Sequence, residues 1–199
     1  QVLGLHDVIL EFELTANRAD CFSVIGIARE VAALTGKSLR MPTIEVKETA
    51  GVRAADLVSI HIDDKERCHR FSARVLRDVK VAPTPAWMVD RLRGAGIRSI
   101  NNVVDVTNFV MLELGQPLHA YDYDRIAGHT LTARCARAGE QLHTLDDSNR
   151  IAVGDELVIA DSEKPAGLAG IMGGLDSEVT DQTTTVVLEA ASFHGPTIR

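Results

Sequence analysis

Residues Thr130–Ala160 read TLTARCARAGEQLHTLDDSNRIAVGDELVIA. Three short segments inside this stretch, near Thr130–Ala136, Gln141–Leu145 and Glu156–Ala160, are apolar or β-branched and are bounded by Gly, Asp, Asn and Ser. That is the pattern of strands joined by turns. No helical spacing separates one from the next, so a regular alternation of strand and helix is absent here.

Outward from this run the order of elements is mixed. Val8, Leu10, Phe12 and Leu14 alternate with Ile9, Glu11 and Glu13, which predicts a strand with one wet face. Ser23 then precedes an apolar face of Val24, Ile27, Ala28, Val31 and Leu34, and Gly36 follows. A capped helix is expected there. Lys37–Ala55 is polar and contains Pro42 and Gly51, the mark of an irregular connection. Leu57–Ile62 and Phe71–Leu76 read as strands, and Pro85 opens a helix that Gly94 and Gly96 end. Asn101–Leu114 carries Val103, Val106, Val110 and Leu114 at helical spacing, against the lower propensity of β-branched residues. Gly115–Asp124, with Pro117, reads as a structured loop; Thr183–Leu188 reads as a strand, and a helix begins near Ser192 and Pro196. The expected class is α+β, with mixed sheets and flanking helices. Residues 1–40 are expected to close one domain and residues 55–199 to form a second.

Composition narrows the function classes. The 199 residues are 45% hydrophobic and 25% charged, ordinary globular values that exclude a disordered or collagen-like chain. No apolar run approaches the ~20 residues of a membrane span, and no secretory signal opens the sequence. Cys21, Cys68 and Cys135 are odd in number and far apart, which argues against disulfides and a zinc finger and for a reducing cytosol. The net charge of -7 argues against a dedicated nucleic-acid-binding domain, although nine Lys and Arg residues cluster within Lys65–Arg98. Gln1 and Arg199 are expected to be the ends of an excised internal segment.

The usual catalytic signatures are missing: there is no G-x-S-x-G, no H-E-x-x-H, no Walker A loop and no dinucleotide fingerprint. The glycines at 167, 170, 173 and 174 lack a Lys-Ser/Thr partner, so they either let backbones approach closely or clear space for a ligand. Asn101, Asp105 and Asn108 share a helical face, with Thr107 slightly offset; such a stripe is solvated or lines a wet pocket. His119 alone is more easily a structural histidine than a functional one. Glu189 interrupts an apolar run between Val186 and Ala191, where it is either wet at a strand end or partly buried with a partner. Cys68 and His69 lack the further ligands a metal needs, so no metal site is expected.

Several of these residues lie in longer runs. Leu14–Cys21 (LTANRADC) with Gly26–Glu30, Asn102–Asn108 (NVVDVTN) with Gly115–Asp122 (GQPLHAYD), and Ala169–Gly174 (AGIMGG) with Glu189–Phe193 (EAASF) resemble the β subunits of bacterial phenylalanyl-tRNA synthetases. The resemblance covers essentially the whole chain. It implies that residues 1–40 close the first domain of such a subunit, and that the joined third and fourth domains, which carry an editing site, follow from about residue 55.

By resemblance the function is hydrolysis of tyrosine wrongly attached to the phenylalanine tRNA, within an enzyme that ligates phenylalanine to that tRNA. A pocket shaped for a phenyl ring cannot strongly reject the same ring with an added hydroxyl, so a second, hydrolytic site supplies the missing selectivity. Glu189 matches the family's glutamate that receives the phenol. His119, the other catalytic candidate, matches a pocket residue suited to positioning the attacking water. Thr107 and Asn108 match positions that hold the ester or its amino group, and Gly173 with Gly174 would form the wall where the terminal adenosine approaches. The resemblance implies no cofactor in this segment, ATP and Mg2+ for the full synthetase, an α-subunit partner in an α2β2 assembly, the aminoacylated 3′ end of the tRNA as ligand, no membrane and a cytoplasmic location. The alternative is an assembly module that packs on the catalytic α subunit with little editing of its own.

Overall fold

A computed structural model describes residues 8–199. The chain divides into two units: residues up to Lys47 with Ala82–Gln116, and Glu48–Val81 with Pro117–Arg199.

The first unit is helical. Ser23 accepts a hydrogen bond from the Gly26 N–H at 3.2 Å and so caps Val24–Thr35 (α1), which Gly36 ends in the left-handed conformation at φ 65°. Pro85 precedes Ala86–Gly94 (α2), whose Leu92 is fully buried. Asn101 caps Asn102–Leu114 (α3) by accepting from the N–H groups of Val103 and Val104, and Gly115 ends it. Both α1 and α2 pack on α3, so Ala82–Gln116 groups with the N-terminal helix instead of with the strands that flank it in sequence. The expected strand over Val8–Leu14 is not formed. Val8, Ile9, Leu10 and Phe12 are all exposed, so the alternation has no dry side, and no ladder among the described residues pairs it. An amphipathic pattern predicts a strand only where a neighbour completes the sheet.

The polar stripe on α3 has a third use that the sequence did not suggest. Asp105 is fully buried and accepts from Thr84 Oγ1 at 2.5 Å, Ser99 Oγ at 2.5 Å and the Ile100 N–H at 2.9 Å. Asn102 Oδ1 accepts from the Ala82 N–H at 3.0 Å. Asp105 and Asn102 therefore tie the segments around α2 to α3.

The second unit holds Ser59–Ile62 (β1), Cys68–Leu76 (β2), Leu118–Asp122 (β3), Thr130–Cys135 (β4), Gln141–His143 (β5), Asn149–Ile151 (β6), Leu157–Ala160 (β7), Pro165–Leu168 (β8), Met172–Gly173 (β9), Val186–Phe193 (β10) and a last short helix, Gly195–Ile198 (α4). The larger sheet has the order β1-β4-β7-β8-β9, parallel only between β1 and β4. The smaller sheet is antiparallel, β2-β10-β3, and β5 with β6 forms a hairpin. The expected α+β class with mixed sheets is the class observed. Tyr121 and Val187 from the smaller sheet and Leu131, Ala133, Leu157 and Ile159 from the larger one share a single core. β7 is buried on both faces, as its unbroken apolar sequence requires.

Two boundaries differ from the sequence reading. Gly115–Asp124 is no loop, because Leu118–Asp122 is the edge strand β3, laid against β10. The strand near Thr183 starts at Val186 and continues to Phe193, which moves Glu189 from an end into the middle. The basic run over Lys65–Arg98 is shared between β2, α2 and both units, and Arg67, Arg74 and Arg93 there pair with Asp64, Glu48 and Asp90. No helix among the described residues is long and apolar enough to cross a membrane.

Candidate active site

Alternation along two neighbouring strands puts the chemistry on one face. His119 and Tyr121 lie two residues apart on β3, so both project from the same side of the sheet. In the antiparallel register His119 is opposite Glu189, and Tyr121 is opposite Val187, itself two residues before Glu189. On its other flank Glu189 faces Ala73 of β2, which offers no polar side chain. His119, Tyr121 and Glu189 all line a cavity of about 710 Å3, closed also by Ile159, Gly167 and Gly173 from the larger sheet.

Glu189 is 6% exposed, and Tyr121 is 2% exposed. The Tyr121 hydroxyl donates to Glu189 Oε2 at 2.5 Å. Burial pushes the Glu189 carboxyl up to about 7, and the Tyr121 hydrogen bond pulls it back down in part. Burial likewise drives the Tyr121 phenol well above its ordinary range, with the adjacent carboxylate adding to the effect. The His119 ring meets Tyr121 edge-on, centroids 4.5 Å apart at 82°. Burial lowers His119 to about 4, so its imidazole is neutral near pH 7. Its Nε2 is sealed from solvent and has no hydrogen-bond partner among the described residues. A buried ring nitrogen without a partner calls for an explanation, and a ligand or ordered water that meets it is one.

The glycine segment supplies the opposite wall. A Cβ on Gly173 would stand 2.4 Å from His119 Cε1 and 2.7 Å from Nε2. Only a residue without a side chain lets β9 pass this close to the imidazole. Gly174 is committed to backbone packing: its N–H donates to Ala166 O at 2.7 Å, and a Cβ there would meet the same oxygen at 2.5 Å. The two uses left open for these glycines are thus divided, with Gly173 on the cavity and Gly174 behind it. Thr107 and Asn108 lie on α3 in the first unit, where Thr107 is buried and its hydroxyl donates to Val104 O at 2.6 Å.

The sequence reading found His119, Glu189 and Gly173, which the structure brings together, and missed Tyr121. The signal was present: a histidine and a tyrosine spaced by two share a face as soon as residues 118–122 are a strand. Among the described residues, one cluster has metal-binding geometry, Asp20, Cys21 and Glu30. Arg18 already pairs with both carboxylates, at 2.9 Å and 2.6 Å, so their oxygens are engaged from within.

A family profile described as the B3/4 domain matches residues 67–199. The phenylalanine–tRNA ligase beta subunit of Moorella thermoacetica is 49% identical over 199 residues, covering 100% of this chain and 25% of that protein. The corresponding subunit of Carboxydothermus hydrogenoformans is 51% identical and that of Bacillus cereus 45%, each with the same coverage. The chain thus spans about a quarter of the length of these relatives. Among solved structures, an N-terminal fragment of the phenylalanyl-tRNA synthetase beta subunit from Pyrococcus horikoshii is similar with a TM-score of 0.50 and 16% identity, covering 92% of this chain and 55% of that one. At that identity the likeness concerns the fold alone.

Proposed function

The chain belongs to the B3/4 domain family, and from that premise we propose that it is the part of a phenylalanyl-tRNA synthetase β subunit that hydrolyses tyrosine wrongly esterified to the phenylalanine tRNA. The observation that carries this reading is the cross-strand pair Glu189 and His119 facing one cavity, beside the bare backbone of Gly173. A buried carboxylate in an apolar wall rewards a phenol, because it accepts a charge-assisted hydrogen bond from it. Phenylalanine brings no donor to that oxygen, and a buried acceptor left unmet costs about 1–3 kcal/mol. The cavity thereby favours the tyrosyl ester, which is the error to be removed.

His119 suits a positioning role better than that of a strong base. A group lowered to about 4 holds a proton weakly, yet its neutral ring can orient a water that attacks the ester carbonyl. Among the described residues no Ser or Cys side chain lines the cavity, which supports direct attack by water over an acyl-enzyme. Gly173 would flank the terminal adenosine, since its bare backbone lines the cavity beside His119. The intact enzyme would contain a catalytic α subunit in an α2β2 assembly, use ATP and Mg2+ there to charge the tRNA, and reside in the cytoplasm. The Asp20, Cys21 and Glu30 cluster does not suit that Mg2+, since Arg18 occupies it.

The test offers tyrosyl- and phenylalanyl-tRNA to the whole enzyme carrying Glu189→Ala or His119→Ala. Tyrosyl-ester hydrolysis should fall while phenylalanine charging persists; wild-type hydrolysis in both variants would reject the assignment. One observation favours an additional role in assembly. Val24, Val31 and Leu34 on α1 stay exposed, at 63%, 51% and 84%, although they form the helix's apolar face. An uncovered apolar face of this kind suits docking on a partner subunit.

A further inference from the structure

Tyr121 is placed where it governs Glu189. Its hydroxyl holds Oε2 at 2.5 Å, both residues line the cavity, and among the described residues no other donor reaches this carboxyl. Tyr121 is also part of the core, packed with Ile159 and Val187, and is therefore not free to swing away when a ligand enters. We infer that Tyr121 is the positioning residue for Glu189: its phenol fixes one carboxylate oxygen so that the other is left for a hydroxyl group on the entering side chain. The inference rests on the editing reading above and refines how that site chooses its substrate.

The chemistry follows from counting oxygens. A carboxylate has two acceptor oxygens with about four lone-pair sites. With Oε2 held from within, the ionised carboxyl is never wholly without a donor, so the site stays chargeable when empty. Discrimination then falls on Oε1 alone, where tyrosine brings a donor and phenylalanine does not. The other ionisable groups near the carboxyl are His119 from β3, Cys68 from β2 and Arg199, which also lines the cavity. Of the residues that β7, β8 and β9 contribute to the cavity wall, none is ionisable. Tyr121 is thus the group that acts on Glu189 through a direct hydrogen bond.

The test uses Tyr121→Phe, which removes one oxygen and keeps the ring. The first readout is the pH titration of the Glu189 side-chain carbon, followed by NMR in the 199-residue chain. The second is the preference of the whole enzyme for tyrosyl- over phenylalanyl-tRNA hydrolysis across the same pH range. The Glu189 midpoint should rise by about one unit, the equivalent of one charge-assisted hydrogen bond. The tyrosyl preference should fall several-fold at pH 7 and recover at higher pH. In a Glu189→Gln background, adding Tyr121→Phe should leave the preference unchanged, a comparison that separates positioning from a general loss of structure. An unmoved titration, or an equal loss of preference in both backgrounds, overturns the inference. If the titration moves but the wild-type enzyme hydrolyses neither ester, the editing reading falls, and with it the specificity role, while the hold of Tyr121 on Glu189 stands.

Discussion

Gly173 and His119 are in contact through the absence of a side chain: a Cβ at 173 would lie 2.4 Å from the imidazole Cε1 and 3.0 Å from Leu145 Cδ1. The backbone there is not left-handed, so alanine meets no conformational objection, only a steric one. His119 cannot yield freely, because its ring is packed edge-on against buried Tyr121. Gly173→Ala should therefore displace the imidazole, cost about 1–3 kcal/mol by overpacking and remove tyrosyl-ester hydrolysis. Urea unfolding and a deacylation assay check the two effects. A variant with wild-type stability and hydrolysis would show that the close approach has no consequence.

The second prediction concerns Asp105, the hub of the helical unit. Burial alone would raise its carboxyl, yet hydrogen bonds from Ser99, Thr84 and the Ile100 N–H outweigh it and hold the group below the usual range. Asp105→Ala should leave those donors unmet and cost about 2–4 kcal/mol. Asp105→Asn should cost less, since the two hydroxyls can turn to suit an amide. Equal losses in the two variants would mean that the hydrogen bonds are not what the aspartate supplies. The comparison needs only thermal unfolding of the chain.

How much of this was legible beforehand depended on how local the signal was. α1 and α3 announce themselves through Ser23, Gly36, Asn101 and Gly115, because a cap is decided within four residues. β3 was hidden: Gly115 and Pro117 mark a turn, and the alternation of Leu118 and Ala120 with His119 and Tyr121 was too short to outweigh them. Val8–Leu14 shows the converse, since its alternation is clear but a strand requires a neighbour. The role of Asp105 could not be read from α3, because Thr84 and Ser99 come from other segments. In the candidate site, resemblance supplied Glu189 and His119, but their adjacency is a matter of register between strands about seventy residues apart. Tyr121 escaped for the same reason.

Gly26 gives a third prediction in which two magnitudes oppose each other. In a helix interior, Gly→Ala ordinarily stabilises by about 0.8–1 kcal/mol. Here a Cβ would stand 1.8 Å from the Asp20 carbonyl oxygen and 2.9 Å from Cys21 Cα. Both are backbone atoms of the turn Ala19–Cys21, which cannot give way as a side-chain tip would. The clash should win, and Gly26→Ala should destabilise the chain by roughly 2 kcal/mol or more. A variant more stable than wild type in urea would show that the turn yields cheaply.

The last prediction comes from the opposite shifts of Glu189 and His119. Glu189 is raised from 4.5 to about 7, so between these values the native protein holds a proton that the unfolded chain has lost. Its contribution to stability is complete below pH 4.5 and is lost as pH rises towards 7. His119 is lowered from 6.5 to about 4, so the unfolded chain takes up the proton first. Its contribution is complete above pH 6.5 and is lost as pH falls towards 4. Between about pH 4.5 and 6.5 the two slopes oppose and largely cancel in the wild type. Substituting either residue should expose the other. The stability of Glu189→Gln relative to wild type should improve as pH rises from 4.5 to 7, and that of His119→Gln should improve as pH falls from 6.5 to 4. Each change should be on the order of 3 kcal/mol across its window. Taking differences from wild type removes the contribution of the many surface carboxylates. Urea unfolding at a few pH values spanning both windows is sufficient, and two curves that stay parallel to wild type would show that neither group is buried as described.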